Sequence, residues 1–325
     1  MNNSTTFYII VPVYNSMEYL DECLDSIKKQ TFEDFICIMV NDGSTDESEQ
    51  ICKKYETNDK RFFLISQKNQ GVSAARNKGM DFVLKTAGDD SFLIFVDSDD
   101  TLNVDYIENY YDAIKKTDDS YEKYLYLCAY NQISKENIIQ KKIESSEKII
   151  KGSMRENFDV VDSYMSFIWG KAYSLKVLKK ANIRFDENIA LGEDTIFNFL
   201  YLAHVELYYF INKCIYNYKI LDLSLSHMKR NESHFNQICC AIKARCNFLV
   251  KYNVKNKETI INKHIANFVH TNILNPYYKR LYELRKNTYS KHTQTSGQAR
   301  VIFCLRHKLL WLYRLYLLIF KRVEK

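Results

Sequence analysis

The chain has 325 residues, of which 46% are hydrophobic and 26% are charged, and these proportions exclude a largely disordered or collagen-like protein. Its net charge of +6 comes from the stretch 300–325, with seven Lys or Arg and one acid, so the first 299 residues are neutral as a group. A neutral body argues against nucleic acid as a partner. The nine cysteines include no C-x-x-C pair, which excludes a zinc ribbon and favours a reducing, cytoplasmic compartment, and polar residues 1–6 are not a signal peptide.

The first third of the chain alternates strand-like and helix-like segments. Short apolar runs predict four buried strands at 8–13, 35–40, 62–65 and 92–96. Helical spacing predicts four helices at 15–27, 44–55, 73–85 and 104–116. Asn15 with Glu18, and Ser44 with Glu47, resemble capping boxes that open the first two helices. The repeated alternation predicts an α/β fold with a mostly parallel sheet flanked by helices.

The rest of the chain is less regular. Strands are predicted at 121–133, 144–150 and 205–218, and helices at 174–180 and 196–202. From residue 234 onward the pattern is mainly helical. We therefore expect one α/β domain over residues 1–225, divided near residue 117, and a helical C-terminal region over residues 226–325.

Two acids follow the fourth predicted strand. Ligands bind outside the carboxyl ends of the strands in a parallel sheet, which directs attention to Asp97 and Asp99. Two carboxylates in this position suit Mg²⁺ or Mn²⁺, which take one or two protein oxygens together with substrate phosphates. A solvated acidic loop that caps the next helix has the same D-x-D pattern. The place directly after a buried strand favours the metal site.

The segments after the second and third strands are also polar. Asp42, beside Gly43, either accepts a hydrogen bond from a base N–H or belongs to an ordinary turn. In the segment 69–77, small residues allow a loop and a helix N-terminus to approach an anion closely. Arg76 within it pairs with a phosphate, pairs with the acids after the fourth strand, or lies on the solvent face.

Four motifs in this order resemble the family 2 glycosyltransferases: V-P-V-Y-N, V-N-D-G-S-T-D, N-Q-G-V-S-A-A-R-N and V-D-S-D-D. The resemblance is strong over residues 8–102, and 169–194 looks like the family's acceptor-side region with its Glu-Asp motif. It implies a GT-A fold with a Rossmann-like sheet, a donor half (1–117) and an acceptor half (118–225). The implied activity is that of an inverting hexosyltransferase, which transfers a sugar from a nucleoside-diphosphate sugar, with UDP expected, to an acceptor hydroxyl.

The resemblance also implies a cofactor and a setting. The cofactor would be Mn²⁺ or Mg²⁺, which neutralises charge on the leaving diphosphate. The acceptor would be a glycan or a lipid-linked saccharide, in the synthesis of a bacterial capsule, lipopolysaccharide or another surface glycan.

Roles for individual residues follow from the same resemblance. The donor would be held by Pro12, Tyr14, Asn15, Asp42, Gln70, Gly71, Arg76 and Asp97. Asp99 would hold the metal together with Asp97, which also faces the ribose. Asp194 would be the general base that deprotonates the acceptor hydroxyl, with Glu193 beside it. Acids at a helix N-terminus are the other interpretation of this pair.

Three further residues have two interpretations each. His227 either completes the metal shell or is structural. Trp169 either stacks on an acceptor sugar or belongs to the core. Lys219 stands where related chains often carry Arg, and it would help to hold phosphate.

The C-terminal stretch 300–325 places a basic residue every seventh position, at Arg300, His307, Arg314 and Lys321. This spacing puts them on one helical stripe, and Arg314 interrupts the apolar runs, which are too short to span a membrane. A peripheral contact with the cytoplasmic face of the inner membrane, packing on the body and a homodimer contact all fit the pattern.

Two other functions were weighed. A sugar nucleotidyltransferase would carry a Gly-rich first loop with Arg or Lys, whereas residues 11–16 read V-P-V-Y-N-S. A non-catalytic nucleotide-sugar-binding or scaffold protein would keep the pocket without the full set of acids, and all the expected acids are present here.

Overall fold

The computed structural model describes residues 5–221 and 232–264, and its first third alternates strands and helices in the predicted order. The elements are β1 (Phe7–Val13), α1 (Met17–Lys28), β2 (Phe35–Asn41), α2 (Ser48–Asn58), β3 (Phe62–Ser66), α3 (Val72–Thr86), β4 (Phe92–Phe95), β5 (Thr101–Leu102) and α4 (Tyr106–Lys115). The four predicted strands and the helices expected at 73–85 and 104–116 lie within two residues of their predicted bounds.

The second half adds shorter elements to the same sheet. They are a 3₁₀ turn (Asp118–Lys123), β6 (Tyr124–Ile133), β7 (Ile138–Lys141), β8 (Ile149–Ser153), α5 (Phe158–Val161), a second 3₁₀ turn (Asp162–Ser166), β9 (Lys171–Ser174), α6 (Leu175–Ala181), α7 (Glu193–Leu202), β10 (Leu207–Lys219) and α8 (Glu232–Lys251). The strand expected at 144–150 begins later, and neither β7 nor β9 was predicted, because four residues are too few to show a period.

The described strands form one sheet in the order β3-β2-β1-β4-β9-β6-β10-β5, with β7 paired to β6 and β8 paired to β10. The strands β3, β2, β1 and β4 are parallel to one another, as are β6 and β10. β9 lies between these two sets and is antiparallel to both of its neighbours. The predicted α/β class, with a largely parallel sheet flanked by helices, is confirmed.

Strand β1 is buried on both faces, which explains its unbroken apolar sequence. Phe7, Ile9 and Val11 belong to the main core cluster, which also contains the buried face of α1. On the opposite face Ile10 meets α3, where a Cβ atom added to Gly79 would lie 2.8 Å from Ile10 Cγ2. Full burial of one such aliphatic side chain stabilises the fold by about 1.5–3 kcal/mol.

The predicted capping role of Ser44 is wrong. Helix α2 begins at Ser48, and the Ser44 hydroxyl accepts the backbone N–H of Asn15 at 3.1 Å instead. Asp46 accepts the N–H groups of Ser48 and Met17. The polar side chains after β2 therefore hold the loop after β1, a contact that local spacing does not reveal.

The described residues fall into two compact units, one of residues 5–221, 232–248 and 252–255, and another of residues 249–251 and 256–264. Within the first, Gln237 of α8 accepts the backbone N–H groups of Ala190 and Leu191 at 3.0 Å.

The predicted boundary after residue 225 and the basic stretch 300–325 lie outside the described residues, and both stay predictions. Among the helices that the structure does describe, none is long and apolar enough to cross a membrane.

Candidate functional site

Loops that follow β1, β2 and β4 meet at the carboxyl end of the sheet. The Asn15 side chain accepts the backbone N–H of Thr45 at 2.8 Å, and the hydroxyls of Ser16 and Ser98 lie 2.7 Å apart. Asn15 has a φ of 47°, a left-handed conformation that Asn adopts more readily than most residues. Tyr14 is 49% exposed beside it, whereas Pro12 is buried in β1.

Asp42 organises the loop that follows β3. One of its carboxylate oxygens accepts the Gln67 side chain at 2.8 Å and the Gln70 backbone N–H at 2.9 Å. The other accepts the Gly71 backbone N–H at 2.8 Å. Asp42 is only 3% exposed, so its hydrogen bonds hold the backbone of the predicted donor loop from the protein interior. Its predicted contact with the base stays a prediction.

Gly43 makes this close approach possible. Its φ of 73° lies in the left-handed region, and a Cβ atom there would stand 2.7 Å from the backbone nitrogen of Asn69. The loops after β2 and β3 therefore touch through backbone atoms, and no other residue type fits between them.

Arg76 joins the donor side of the site to its acceptor side. Its guanidinium donates to Asp194 at 2.7 Å and to Glu193 at 3.4 Å through Nη1, and to Asp97 at 3.0 Å through Nη2. The side chain is 4% exposed and lies over the ring of Phe185. Of the alternatives left by the sequence, pairing with the acids after the fourth strand is the one observed.

Three carboxylates around one guanidinium leave excess negative charge in a buried place. Burial alone would lower the pKa of Arg76, yet the three carboxylates hold it above its usual value. Burial and the charge of Asp194 raise the pKa of Glu193 to about 8. Burial raises the pKa of Asp194 as well, but Asp194 makes the shorter contact with Arg76, at 2.7 Å against 3.4 Å for Glu193. From this geometry we assign the proton that the pair shares to Glu193 and the negative charge to Asp194 at neutral pH.

Asp194 is fixed by a second contact, on the side away from Arg76. Its other oxygen accepts the backbone N–H of Ile168 at 3.1 Å. The buried ammonium of Lys171 holds the carbonyls on either side of that residue, donating to Phe167 at 2.6 Å and to Trp169 at 3.2 Å. Lys171 therefore orients the backbone N–H of Ile168 toward the carboxylate of Asp194.

The same short segment is held from α7. Asn198 donates to the carbonyls of Met165 and Phe167, at 3.1 and 2.9 Å. The hydroxyl of Tyr173 lies 3.1 Å from the carbonyl of Ile168 and 2.6 Å from the Asn198 side-chain oxygen. This polar network is buried, and satisfied buried networks of this kind stiffen a site.

Replacement of Lys171 by Met is expected to change how stability depends on pH. Burial lowers the pKa of Lys171 to about 7 from 10.5, although the charge of Asp194 acts in the opposite direction. At this site the unfolded chain then holds more protons than the folded one between these values, so Lys171 contributes about 1.4 kcal/mol of added stability per pH unit as pH rises above 7. Lys171→Met removes this gain, which urea unfolding at pH 7, 8 and 9 measures.

The matched control for that experiment is Lys180→Met, because Lys180 is exposed and forms no ion pair with a described residue. The control is expected to keep the wild-type slope of stability against pH. Equal slopes for the wild type and Lys171→Met would contradict the assignment of Lys171 as a buried, titrating ammonium.

The predicted metal loop crowds three acids together. Asp97 uses one oxygen for Arg76, and Asp99 forms no ion pair or side-chain hydrogen bond with another described residue. Burial and the charge of Asp97 raise the pKa of Asp99 to about 6. Asp100 is fully buried, where its carboxylate accepts the Tyr216 hydroxyl at 2.6 Å.

These contacts fit a divalent cation at Asp97 and Asp99 and leave Asp100 with a structural role. Within 5–221 and 232–264 no group of three or more His, Cys, Asp or Glu could hold a metal. The remaining ligands would have to come from elsewhere, as when Mg²⁺ binds through one or two carboxylates and substrate phosphates. His227, the third predicted ligand, lies outside the described residues.

Packing answers the open alternative for Trp169, whereas the role of Lys219 toward phosphate stays a prediction. Trp169 is 4% exposed, and its ring stacks on those of Phe167 and Tyr216, with centroid distances of 3.8 and 4.5 Å. Trp169 therefore belongs to the core and does not offer a face to a sugar. Lys219 pairs with Glu22 at 2.6 Å, and its backbone N–H donates to Asp100 at 2.9 Å. Its ammonium therefore lies beside the acidic loop, in a place where it can reach a phosphate.

Lys171, Tyr216 and Asn198 support the site and were not predicted for it. The signal for Lys171 is its place in the W-G-K sequence, which begins the block that resembles the family's acceptor-side region. Tyr216 and Asn198 lie in apolar runs of Tyr and Phe and have no comparable signal.

Arg76 joins an acid after the fourth strand to the Glu-Asp pair at the start of α7, at the carboxyl end of the α/β sheet. The family model for glycosyl transferase family 2 matches residues 8–172. Glycosyltransferase GlyA of Streptococcus pneumoniae serotype 4 is 34% identical over 267 residues, which are 79% of this chain and 36% of that protein. The chain belongs to glycosyl transferase family 2.

Two further comparisons concern the fold and the wider family. The minor teichoic acid biosynthesis protein GgaB of Bacillus subtilis is 31% identical over 239 residues, which are 71% of this chain and 25% of that protein. The chain thus spans only about a quarter to a third of the length of these two relatives. The crystal structure of S. aureus TarS 1–349 with UDP-GlcNAc has a TM-score of 0.66 at 21% identity, covering 84% of this chain and 75% of that one. At this identity the likeness shows the GT-A fold alone.

Proposed function

We propose that the chain is an inverting hexosyltransferase that moves a sugar from a UDP-sugar to an acceptor hydroxyl in the synthesis of a bacterial surface glycan. The observation that carries the proposal is the bridge through Arg76. One buried guanidinium contacts Asp97 of the predicted donor loop and Asp194 of the predicted acceptor side. This shared guanidinium holds a carboxylate of the donor side close to one of the acceptor side, which supports a displacement with one base.

The residues divide the reaction between them. Asp194 accepts the proton of the acceptor hydroxyl as that oxygen attacks the anomeric carbon. The bond from this carbon to the diphosphate breaks, and its electron pair leaves with the nucleoside diphosphate. Arg76 and the Ile168 N–H hold the base in place, and the protonated Glu193 adds no second negative charge. Attack from the side opposite the leaving group inverts the anomeric centre.

We propose Mn²⁺ or Mg²⁺ at Asp97 and Asp99, where the cation would neutralise charge on the leaving diphosphate. The carboxylate of Asp99, which forms no ion pair with another described residue, supports this assignment. UDP as the nucleotide is supported by a family resemblance and by the UDP and UDP-GlcNAc complexes of TarS.

The setting is proposed from the relatives. GgaB is a minor teichoic acid biosynthesis protein, and teichoic acids are surface polymers, which fits the expected work on a surface glycan better than on a small molecule. A cytoplasmic location, with contact to the inner membrane or a homodimer contact through residues 300–325, stays a prediction.

Nucleotide binding tests the donor site directly. In thermal-shift experiments UDP with Mn²⁺ is expected to stabilise the wild type, by about 2.7 kcal/mol when UDP is present at a hundred times its Kd. GDP, dTDP and CMP should give smaller shifts. Asp99→Asn should lose most of the UDP shift, because the cation is lost, whereas the exposed Asp112→Asn should keep it.

The outcomes separate the parts of the proposal. A larger shift with another nucleotide would overturn UDP, and an equal UDP shift in Asp99→Asn would overturn the metal site. No shift with any nucleotide would overturn the donor site as a whole.

A further inference from the structure

A groove of about 590 Å³ opens between β6, β7 and the second 3₁₀ turn, away from the loops assigned to the donor. This volume is in the range of ligand sites, about 300–1,000 Å³. Its walls combine aromatic rings with basic and polar side chains, the residues used here being Tyr130, Tyr164, Phe167, Lys141, Lys142 and Ser163.

One wall of the groove is continuous in sequence with the segment that holds the proposed catalytic base. Phe167 on its wall directly precedes Ile168, whose backbone N–H holds Asp194. Tyr130 on the same wall pairs in the sheet with Tyr216, whose hydroxyl holds Asp100. One groove wall is therefore continuous with the two backbone segments that fix the acids of the site.

The aromatic residues suit a sugar ring. Tyr130 and Phe167 are half-buried, and their rings meet edge to face with centroids 5.3 Å apart. Phe167 stacks on Trp169 and lies under the Lys171 ammonium, so Tyr130 supplies the aromatic surface of the groove. Tyr164 is fixed behind them by the hydrogen bond from its hydroxyl to the Lys141 carbonyl at 3.1 Å. Rings held in this way present flat apolar surface at a low cost in conformational entropy.

The charged residues suit an anion. Lys141 and Lys142 form no ion pair with any residue in the described ranges, and Glu144 is the one acid on the wall. The ammonium groups are point charges that bind phosphate readily. The exposed hydroxyl of Ser163 adds a hydrogen-bond donor beside them.

We propose that this groove is the acceptor subsite and that the acceptor is a phosphate-bearing glycan, such as a polymer of sugars or polyols joined through phosphate. The inference rests on the proposed function, since it supplies the substrate for the base at Asp194. A sugar or polyol unit lies on Tyr130, and a neighbouring phosphate meets Lys141 and Lys142.

Direct binding tests the proposal without turnover. Isothermal titration at a fixed ionic strength of about 0.1 M, where the screening length is about 10 Å, compares three polymers. They are poly(glycerol phosphate), polygalacturonate and dextran, which carry phosphate, carboxylate and no charge. The wild type is expected to bind poly(glycerol phosphate) at least tenfold more tightly than the other two.

The variants locate that binding. Lys141→Ala with Lys142→Ala is expected to weaken it at least tenfold. The control pair Lys60→Ala with Lys85→Ala removes the same charge from exposed residues outside the groove and should bind like the wild type. Equal weakening in both pairs would show general charge attraction and overturn the groove. Tighter binding of polygalacturonate or dextran would overturn the phosphate.

A UDP thermal shift on the same samples separates this inference from the proposed function. The groove variant should keep the wild-type UDP shift, which also shows that it folds. A normal UDP shift without polymer binding in the wild type would overturn the groove alone. Loss of both in the wild type would overturn the proposed function, and the inference with it.

Discussion

Replacement of Asp194 by Asn is expected to lower the rate of sugar transfer by about 10²–10⁴-fold, the usual contribution of a general base. The amide has the same size and can still accept from Arg76, but it cannot take the proton of the acceptor. The binding constant for the donor should change little, because Asp194 has no assigned contact with the nucleotide. Release of the nucleoside diphosphate, followed with a coupled assay at saturating donor, measures the loss.

Glu193→Gln is the matched control for that experiment. Glu193 is assigned as protonated at neutral pH, since burial and Asp194 raise its pKa to about 8, so its neutral amide should preserve the charge of the site. We expect less than about a tenfold change in rate, below the range for a general base. An active Asp194→Asn together with an inactive Glu193→Gln would transfer the role of base to Glu193.

Replacement of Arg76 by Met is expected to lower the free energy of unfolding by about 3–5 kcal/mol, the cost of removing one partner from a buried ionic group. Without the guanidinium, Asp97, Glu193 and Asp194 face one another unpaired. The pKa values of Glu193 and Asp194 should rise further, because Arg76 lowers both of them in the wild type. An acid whose pKa is raised in the folded state destabilises that state once it ionises. The loss in free energy of unfolding caused by Arg76→Met should therefore be smallest at pH 5 and largest at pH 9.

Urea unfolding at these two pH values measures the effect. The control is Arg184→Met, since Arg184 is partly exposed and pairs with Asp81 at the surface at 3.3 Å. A surface pair of this kind contributes about 0–1 kcal/mol. An Arg76→Met deficit that is the same at pH 5 and pH 9 would contradict the charge network.

The donor side of the site was predictable because each of its residues follows a strand that carries a clear apolar run. Strand β4 ends at Phe95, which places Asp97 and Asp99 at the carboxyl end of the sheet from sequence alone. The position of Asp42 after β2 was predictable in the same way. Its hydrogen bonds were not, because they join loops about 25 residues apart and depend on the left-handed turn at Gly43.

The acceptor side was predicted only as a motif. The contact of Arg76 with Asp194 joins residues 118 positions apart, and Lys171 reaches the site because β9 inserts antiparallel between β4 and β6. A four-residue strand has too few residues to signal this insertion. The core position of Trp169 follows from the same topology, because Tyr216 of β10 covers one of its faces.

The most direct test of the account is the reaction of the wild type with a UDP-sugar, Mn²⁺ and poly(glycerol phosphate), followed by NMR. The account predicts release of UDP and a new glycosidic bond whose anomeric configuration is opposite to that of the donor. Release of UMP, which would mean transfer of a sugar phosphate, or a product with retained configuration, would contradict it.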